Sequence, residues 1–450
     1  MSVIQFPHAA PPVGPVGHFI RLGESGYQKL ASLHAAGRLP ATRVVADASR
    51  LRHQKELLEA FRTAGAEIVL DTKVAELAAQ EKFAGFAHAA PWATIVEGQP
   101  LGPEIFSPGA HGDIYGQIAR FAVEHKIDVV LAPTHFVNDP QFDGWLNIDR
   151  RGCIALREAL DREGGRNIAI DYPLIASHVS LNDDAQRSHY LERLSDLPYD
   201  NLWVRASGFG HDAAPLTTRR FITSMASLHN LGKPIIADYL GGNVAIAALA
   251  FGAVSGIAHG IGERERFDAR SWHKPPPEKK PEAKGGRAVR IHVAGLDRAV
   301  TIPELEVMAS ARGGRGLVCC NDRSCCAHGM QDTLGDPRQH AAYQSLASVR
   351  DIAAVPDLKR EQHFLSGRMA DLDRQARLIK ELKFPVEEAR ARKVNADDLT
   401  RRLTTHSKQL EKMRLSLEDL HESRAEGTPR ARAVQPRAGN SGSTIRTEKK

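Results

Sequence analysis

Between His18 and Gly262 the chain repeats one unit: a short apolar run that ends in polar residues, then a turn and a helix-patterned stretch. The runs are His18–Leu22, Arg43–Asp47, Glu67–Asp71, Asp128–Ala132, Asn167–Ile170, Asn201–Val204, Ile235–Ala237 and Ser255–Ala258. They lack apolar/polar alternation, which predicts strands covered on both faces, as parallel strands flanked by helices are. Eight such units in about 245 residues match the number and size of a TIM barrel. A doubly wound open sheet is the alternative, but no G-x-G-x-x-G follows the first run. The fold class read from the sequence is therefore α/β: a TIM (β/α)8 barrel, followed by a cysteine-rich insertion and a long helical extension.

A barrel gathers the carboxyl ends of its strands around one mouth, where such folds place their chemistry. The polar residues expected there are Arg21, Asp47, Asp71, His135, Asp171, Tyr172, Arg205, Asp238, Tyr239 and His259. Asp171 and Asp238 share one local frame, apolar residues followed by Asp-Tyr, so each presents a carboxylate beside Tyr172 or Tyr239. Either carboxylate suits a nucleophile or a general base. His135 and His259 are the acid–base candidates because imidazole titrates near neutral pH. Arg205 is expected to bind an anion or to pair with a rim aspartate. Gly241 and Gly242, and Gly260 and Gly262, lie where barrels bind phosphate through backbone amides, although they equally suit tight turns. A lone Asp can instead cap the following helix, and a lone His can be structural.

The remaining segments divide by composition. Residues 1–17 and the basic tail 425–450 read as disordered, 18–262 as the barrel, and 263–290 as a Pro/Lys-rich linker or loop. Residues 291–356 form a cysteine-rich subdomain and 357–424 a charged helical extension. The extension's leucines, Leu372 to Leu420, keep no strict heptad, so packing onto the barrel competes with a homo-oligomeric coiled coil. The stretch from His88 to Gly112, rich in Pro and Gly, reads as a loop able to reach over a site. No apolar run is long enough to span a membrane and the N-terminus lacks a basic n-region, so a cytoplasmic protein is expected. The net charge of +6 permits contact with nucleic acid without establishing it.

Cys319, Cys320, Cys325 and Cys326, with His328 close behind, do not resemble a secreted disulfide framework. Cys320, Cys325 and His328 can supply three zinc ligands, with Cys319, Cys326, His340 or His363 as the fourth. A redox-active thiol pair or unliganded structural cysteines are the other readings.

The order of these parts, from about His18 to Arg368, resembles that of the tRNA-guanine transglycosylase family: a TIM barrel, a cysteine-rich zinc insertion after strand eight, then a helical segment with a late histidine ligand. The resemblance implies a structural Zn2+ on Cys320, Cys325, Cys326 and His363. It also implies base exchange in tRNA or DNA, with Asp171 or Asp238 as the nucleophile. The chain departs from the family's C-x-C-x-x-C spacing and lacks its Gly-Gly-Phe-Gln segment. A barrel lyase or hydrolase acting on a small phosphorylated or carboxylated metabolite is the alternative expectation.

Overall fold

The computed structural model describes residues 16–23, 27–39, 41–80, 90–95, 99–107, 109–262, 265–274, 289–424, 430–435 and 437. Eight strands close into a parallel barrel: β1 (Gly17–Arg21), β2 (Arg43–Asp47), β3 (Glu67–Asp71), β4 (Val129–Leu131), β5 (Ala169–Ser177), β6 (Leu202–Ser207), β7 (Ile235–Asp238) and β8 (Gly256–His259). Each strand pairs with the next in sequence, and β8 returns to β1 with Gly17 opposite Gly256 and Ile20 opposite His259. The expected TIM barrel is the observed fold.

Side-chain alternation explains why the strands carry apolar residues on both faces. Phe19, Val45, Val69, Val129, Leu131, Trp203, Ile236 and Ala258 fill the barrel, with Phe19 and Trp203 in edge contact at 4.8 Å. Their neighbours Ile20, Val44, Ile68, Val130, Val204 and Ile257 turn outward onto the helices. Closure leaves the barrel sheet without a free edge. At the β1–β8 seam it requires glycine, because a Cβ on Gly256 would lie 2.7 Å from the Gly17 carbonyl oxygen.

The extension begins with a hairpin, β9 (Arg290–Val293) and β10 (Arg298–Thr301), and a helix, Ile302–Ser310, started by a Thr301–Glu304 capping box. These elements build a second core with the helices Ala370–Lys380 and Ala396–Ser423. The long helix also crosses to the barrel: Met413, Leu417 and Leu420 join the outer barrel core, while Leu399, Leu403 and Leu410 serve the second one. Most of the helical leucines thus pack within the chain, while Leu378 and Leu415 stay exposed. No helix of the described residues is long and apolar enough to cross a membrane.

Two segments differ from expectation. Part of the supposed linker is folded: Arg266–Phe267 pairs with Phe209–Gly210, and Ala269–His273 forms a turn whose Trp272 is buried. Part of the basic tail is packed as well, with Val434 only 1% exposed inside the barrel. In both, a few apolar side chains reach cavities that their own composition does not reveal. Residues 1–15, 275–288 and 438–450 lie outside the described set.

Gly256→Ala is expected to lower stability by about 1–3 kcal/mol, since the added methyl meets backbone rather than a movable side chain. Gly316→Ala, which meets nothing within 4 Å, is the near-neutral control. Urea melts of the two variants check this.

Candidate metal centre and barrel mouth

The last inward residue of several strands is charged, so the apolar barrel interior ends in an ionic layer. Arg21 of β1 donates to both oxygens of Asp238, at 2.7 and 2.5 Å, and to Asp71 at 2.9 Å. Arg205 of β6 donates to Asp238 at 2.7 Å and to Asp71 at 2.8 Å. Asp47 of β2 lies 3.6 Å from Arg21. All of these side chains are buried. Burial would raise Asp71, but Arg205, Lys73 and Arg21 outweigh it and hold its carboxyl well below the usual range. Arg205 therefore pairs with rim aspartates, the second of its two expected roles.

Two residues that the sequence reading passed over complete the layer. Lys73, just past the end of β3, is paired with Glu76 and approaches the Tyr239 hydroxyl at 3.4 Å. Burial would discharge Lys73, but Asp47, Glu76, Tyr239 and Asp71 keep it protonated. Lys73 and Tyr239 both adopt left-handed backbone, with φ of 58°. Such conformations in non-glycine residues are costly and concentrate at functional sites. The Arg21 guanidinium lies 4.2 Å from the centre of the Tyr239 ring. Above the ions, Tyr239, Phe136, Ile175, Phe267 and Trp272 form an apolar roof. The signal in the sequence was the Asp71-Thr72-Lys73 step off a strand end.

Several expected mouth residues lie elsewhere. β5 continues through Pro173 to Ser177, so Asp171 sits near its start, at the opposite end of the barrel. There it accepts from Asn201 and from Trp203 Nε1 at 2.8 Å. Tyr172 turns outward and packs on Tyr199, with its hydroxyl buried and unbonded. His135 lies outside the wall, bonded to Asp149 at 2.6 Å and stacked on Trp145 at 3.7 Å. His259 also turns outward, towards Ser345 at 3.2 Å and His18 at 3.3 Å. Burial lowers its pKa, so the outward imidazole is neutral. Gly241 and Gly242 open the helix Gly242–Ala250, and at its start Asn243 N–H donates to Asp297 at 2.7 Å. A carboxylate of the extension thus takes the place expected for a phosphate.

In the cysteine-rich part, Cys320, Cys325, Cys326 and His340 bring their ligand atoms within 4.8 Å of one another. The Cys325 and Cys326 sulfurs are 3.7 Å apart, and His340 Nδ1 lies 3.4 and 3.6 Å from them. Zinc bonds of about 2.3 Å to sulfur and 2.0 Å to nitrogen, at tetrahedral angles, require edges of about 3.5–3.8 Å. The donor set fits zinc. Adjacent cysteines can converge because Cys325 N–H and Cys326 N–H both donate to the Asp322 carbonyl, in a tight turn. His340 Nε2 contacts the His292 carbonyl at 3.0 Å, which leaves Nδ1 facing the sulfurs. Burial pushes the Cys320 and Cys325 thiols up, so gathered thiolates need a cation. His328 and His363 are not in the set. They bond Asp332 and Asp351 at the surface, and His340 of the helix Pro337–Ala354 supplies the nitrogen instead. Cys319 also lies outside it.

Protein purified without added metal should carry close to one zinc per chain, lost in Cys325→Ser and His340→Ala but retained in His328→Ala and His363→Ala; elemental analysis reads the outcome. A second expectation concerns Glu67 at the amino end of the barrel. Burial raises its pKa to about 7, against the opposing charges of Arg437 and Arg43. A raised carboxyl favours the folded state while it is protonated, so stability falls as pH rises from about 4.5 through 7. Glu67→Gln should remove up to about 3 kcal/mol of that slope, measured by melts between pH 5 and 8.

No family model matches the chain, and no curated protein matches it.

Proposed function

We propose that this chain is a barrel enzyme that exchanges a nucleobase in tRNA or DNA, with Asp238 as the nucleophile and a structural zinc in its extension. The observation that carries this reading is the stacking order at one mouth. A carboxylate at the end of β7 lies beneath an aromatic roof of Tyr239, Phe136, Phe267 and Trp272, suited to a flat base.

In the proposed step an Asp238 oxygen bonds the anomeric carbon while the C–N bond breaks. The electron pair leaves on the base nitrogen, which takes a proton. The nitrogen of an incoming base then bonds the anomeric carbon as the Asp238 carboxylate leaves, and the proton on that nitrogen returns to the group that donated one in the first half. Tyr239, whose hydroxyl lies 3.4 Å from the charged Lys73 amine, is the proton donor at the same mouth. Asp238 Oδ2 accepts from both guanidiniums and Oδ1 from Arg21 and from Tyr239 N–H, so an attacking lone pair becomes available when substrate draws Arg205 away. The roof segment 265–274 must lift to admit the base. Zinc on Cys320, Cys325, Cys326 and His340 would tie the turn to the helix Pro337–Ala354, whose Ser345 meets His259 of β8. Asp171 lies too far from this mouth to share the role.

A small-anion substrate receives less support. Both mouth arginines are engaged by aspartates, and the helix start after β7 is held by Asp297.

Incorporation of labelled guanine into tRNA and into DNA tests the proposal. Asp238→Asn should lower the rate at least about a thousandfold, as loss of a nucleophile does. Failure of the folded, zinc-loaded wild type to label either polymer, or an unaffected Asp238→Asn, would overturn it.

A further inference from the structure

The amino end of the barrel is closed by the chain's own C-terminal segment, held at two points three residues apart. Val434 enters the barrel interior against Phe19 and Trp203. Its fit is close enough that a Cβ on Gly17 would lie 2.9 Å from Val434 Cγ2. Arg437 donates to Asp171 at 2.8 Å and to Asp200 at 3.2 Å, and lies 3.7 Å from Glu67. Upstream, Ala431 N–H donates to the Gly252 carbonyl at 2.9 Å, and Arg430 donates to the Asp357 carbonyl at 3.0 Å and to Glu361 at 3.1 Å.

The carboxylate at the centre of this contact is 0% exposed. Its donors from the barrel, Asn201 and Trp203, are neutral. Among the described residues, the cation hydrogen-bonded to Asp171 is Arg437. A buried carboxylate is costly without a paired cation, and a guanidinium fills that place best because it donates along a planar fork. The barrel thus presents an apolar socket and an acidic clamp at a fixed spacing. The tail's Val-x-x-Arg matches both.

We propose that the amino end of the barrel is a peptide-binding site for an aliphatic residue followed three positions later by arginine, and that the chain's own Val434 and Arg437, with residues 430–435, are its resident ligand. The site lies at the opposite end from the mouth, so it stands independently of the proposed reaction. It also occupies two of the tail's cations. Arg430 and Arg437 cannot grip nucleic-acid phosphates while they hold Glu361 and Asp171.

Hydrogen exchange on the full chain tests this directly. The amide of Ala431 should exchange at least about tenfold more slowly than in the free peptide RARAVQPR. Arg437→Ala should abolish the protection, whereas added salt should leave most of it, because the Arg437–Asp171 pair is largely buried. A full chain carrying Val434→Asp and Arg437→Glu should bind RARAVQPR in trans and bind the same peptide with glutamate at its last position at least about tenfold more weakly. Exchange of Ala431 in the wild type at the free-peptide rate would overturn the proposal whatever the double variant does. So would failure of the folded double variant to take up the wild-type peptide.

Discussion

Four charged side chains across the barrel mouth hold the architecture and the candidate chemistry in one place. Arg21, Asp71, Arg205 and Asp238 come from β1, β3, β6 and β7, so three of their four links join strands that are not neighbours, and the fourth, Arg205 to Asp238, joins adjacent strands. Buried ion pairs of this kind add little net stability over a well-packed apolar core, because desolvation cancels much of the attraction. Losing one partner, by contrast, costs about 3–5 kcal/mol, since the survivor is left charged in a dry place. The layer therefore specifies which groups sit at the mouth more than it stabilises the fold.

The two ends of the barrel use the same device differently. At the carboxyl end, guanidiniums from the wall meet aspartates from the wall, and an aromatic roof excludes water from the ions. At the amino end, the wall supplies Asp171 and Glu67 and a distant part of the chain supplies the matching cation, Arg437. The extension makes a third such joint, where Asp297 caps the helix that follows β7. A helix start attracts any anion, and here a side chain of the same molecule fills it.

The repeating apolar runs made the barrel legible, because strands buried on both faces leave a local signature that helices between them confirm. Half of the mouth was legible for the same reason: Arg21, Asp47, Asp71, Arg205, Asp238 and Tyr239 stand at or near strand ends in the sequence itself. Asp171 misled because the polar pair Asp-Tyr reads as a strand end, whereas the strand resumes at Pro173 and runs on to Ser177. His135 and His259 misled because a strand end fixes a position along the wall but not the face; one residue of alternation turns a side chain from the mouth to the helices. In the metal centre, cysteine spacing revealed the sulfurs. The histidine came from a helix 14 residues beyond Cys326, and only packing of that helix beside the turn selects His340 over His328 and His363.

What the sequence by itself determined is therefore periodic and local: eight βα units, the polar character of their carboxyl ends, and a cysteine cluster rich enough to bind a metal. Tertiary structure alone decided which polar residues converge. Lys73 and Glu76 reach the mouth because a left-handed turn returns them to it. Phe267, Trp272 and Val434 find their places because closing the barrel creates a roof and a floor. The physical reason is that burial and backbone pattern act over a few residues, whereas charge pairing and cavity filling act between residues that are neighbours only in space.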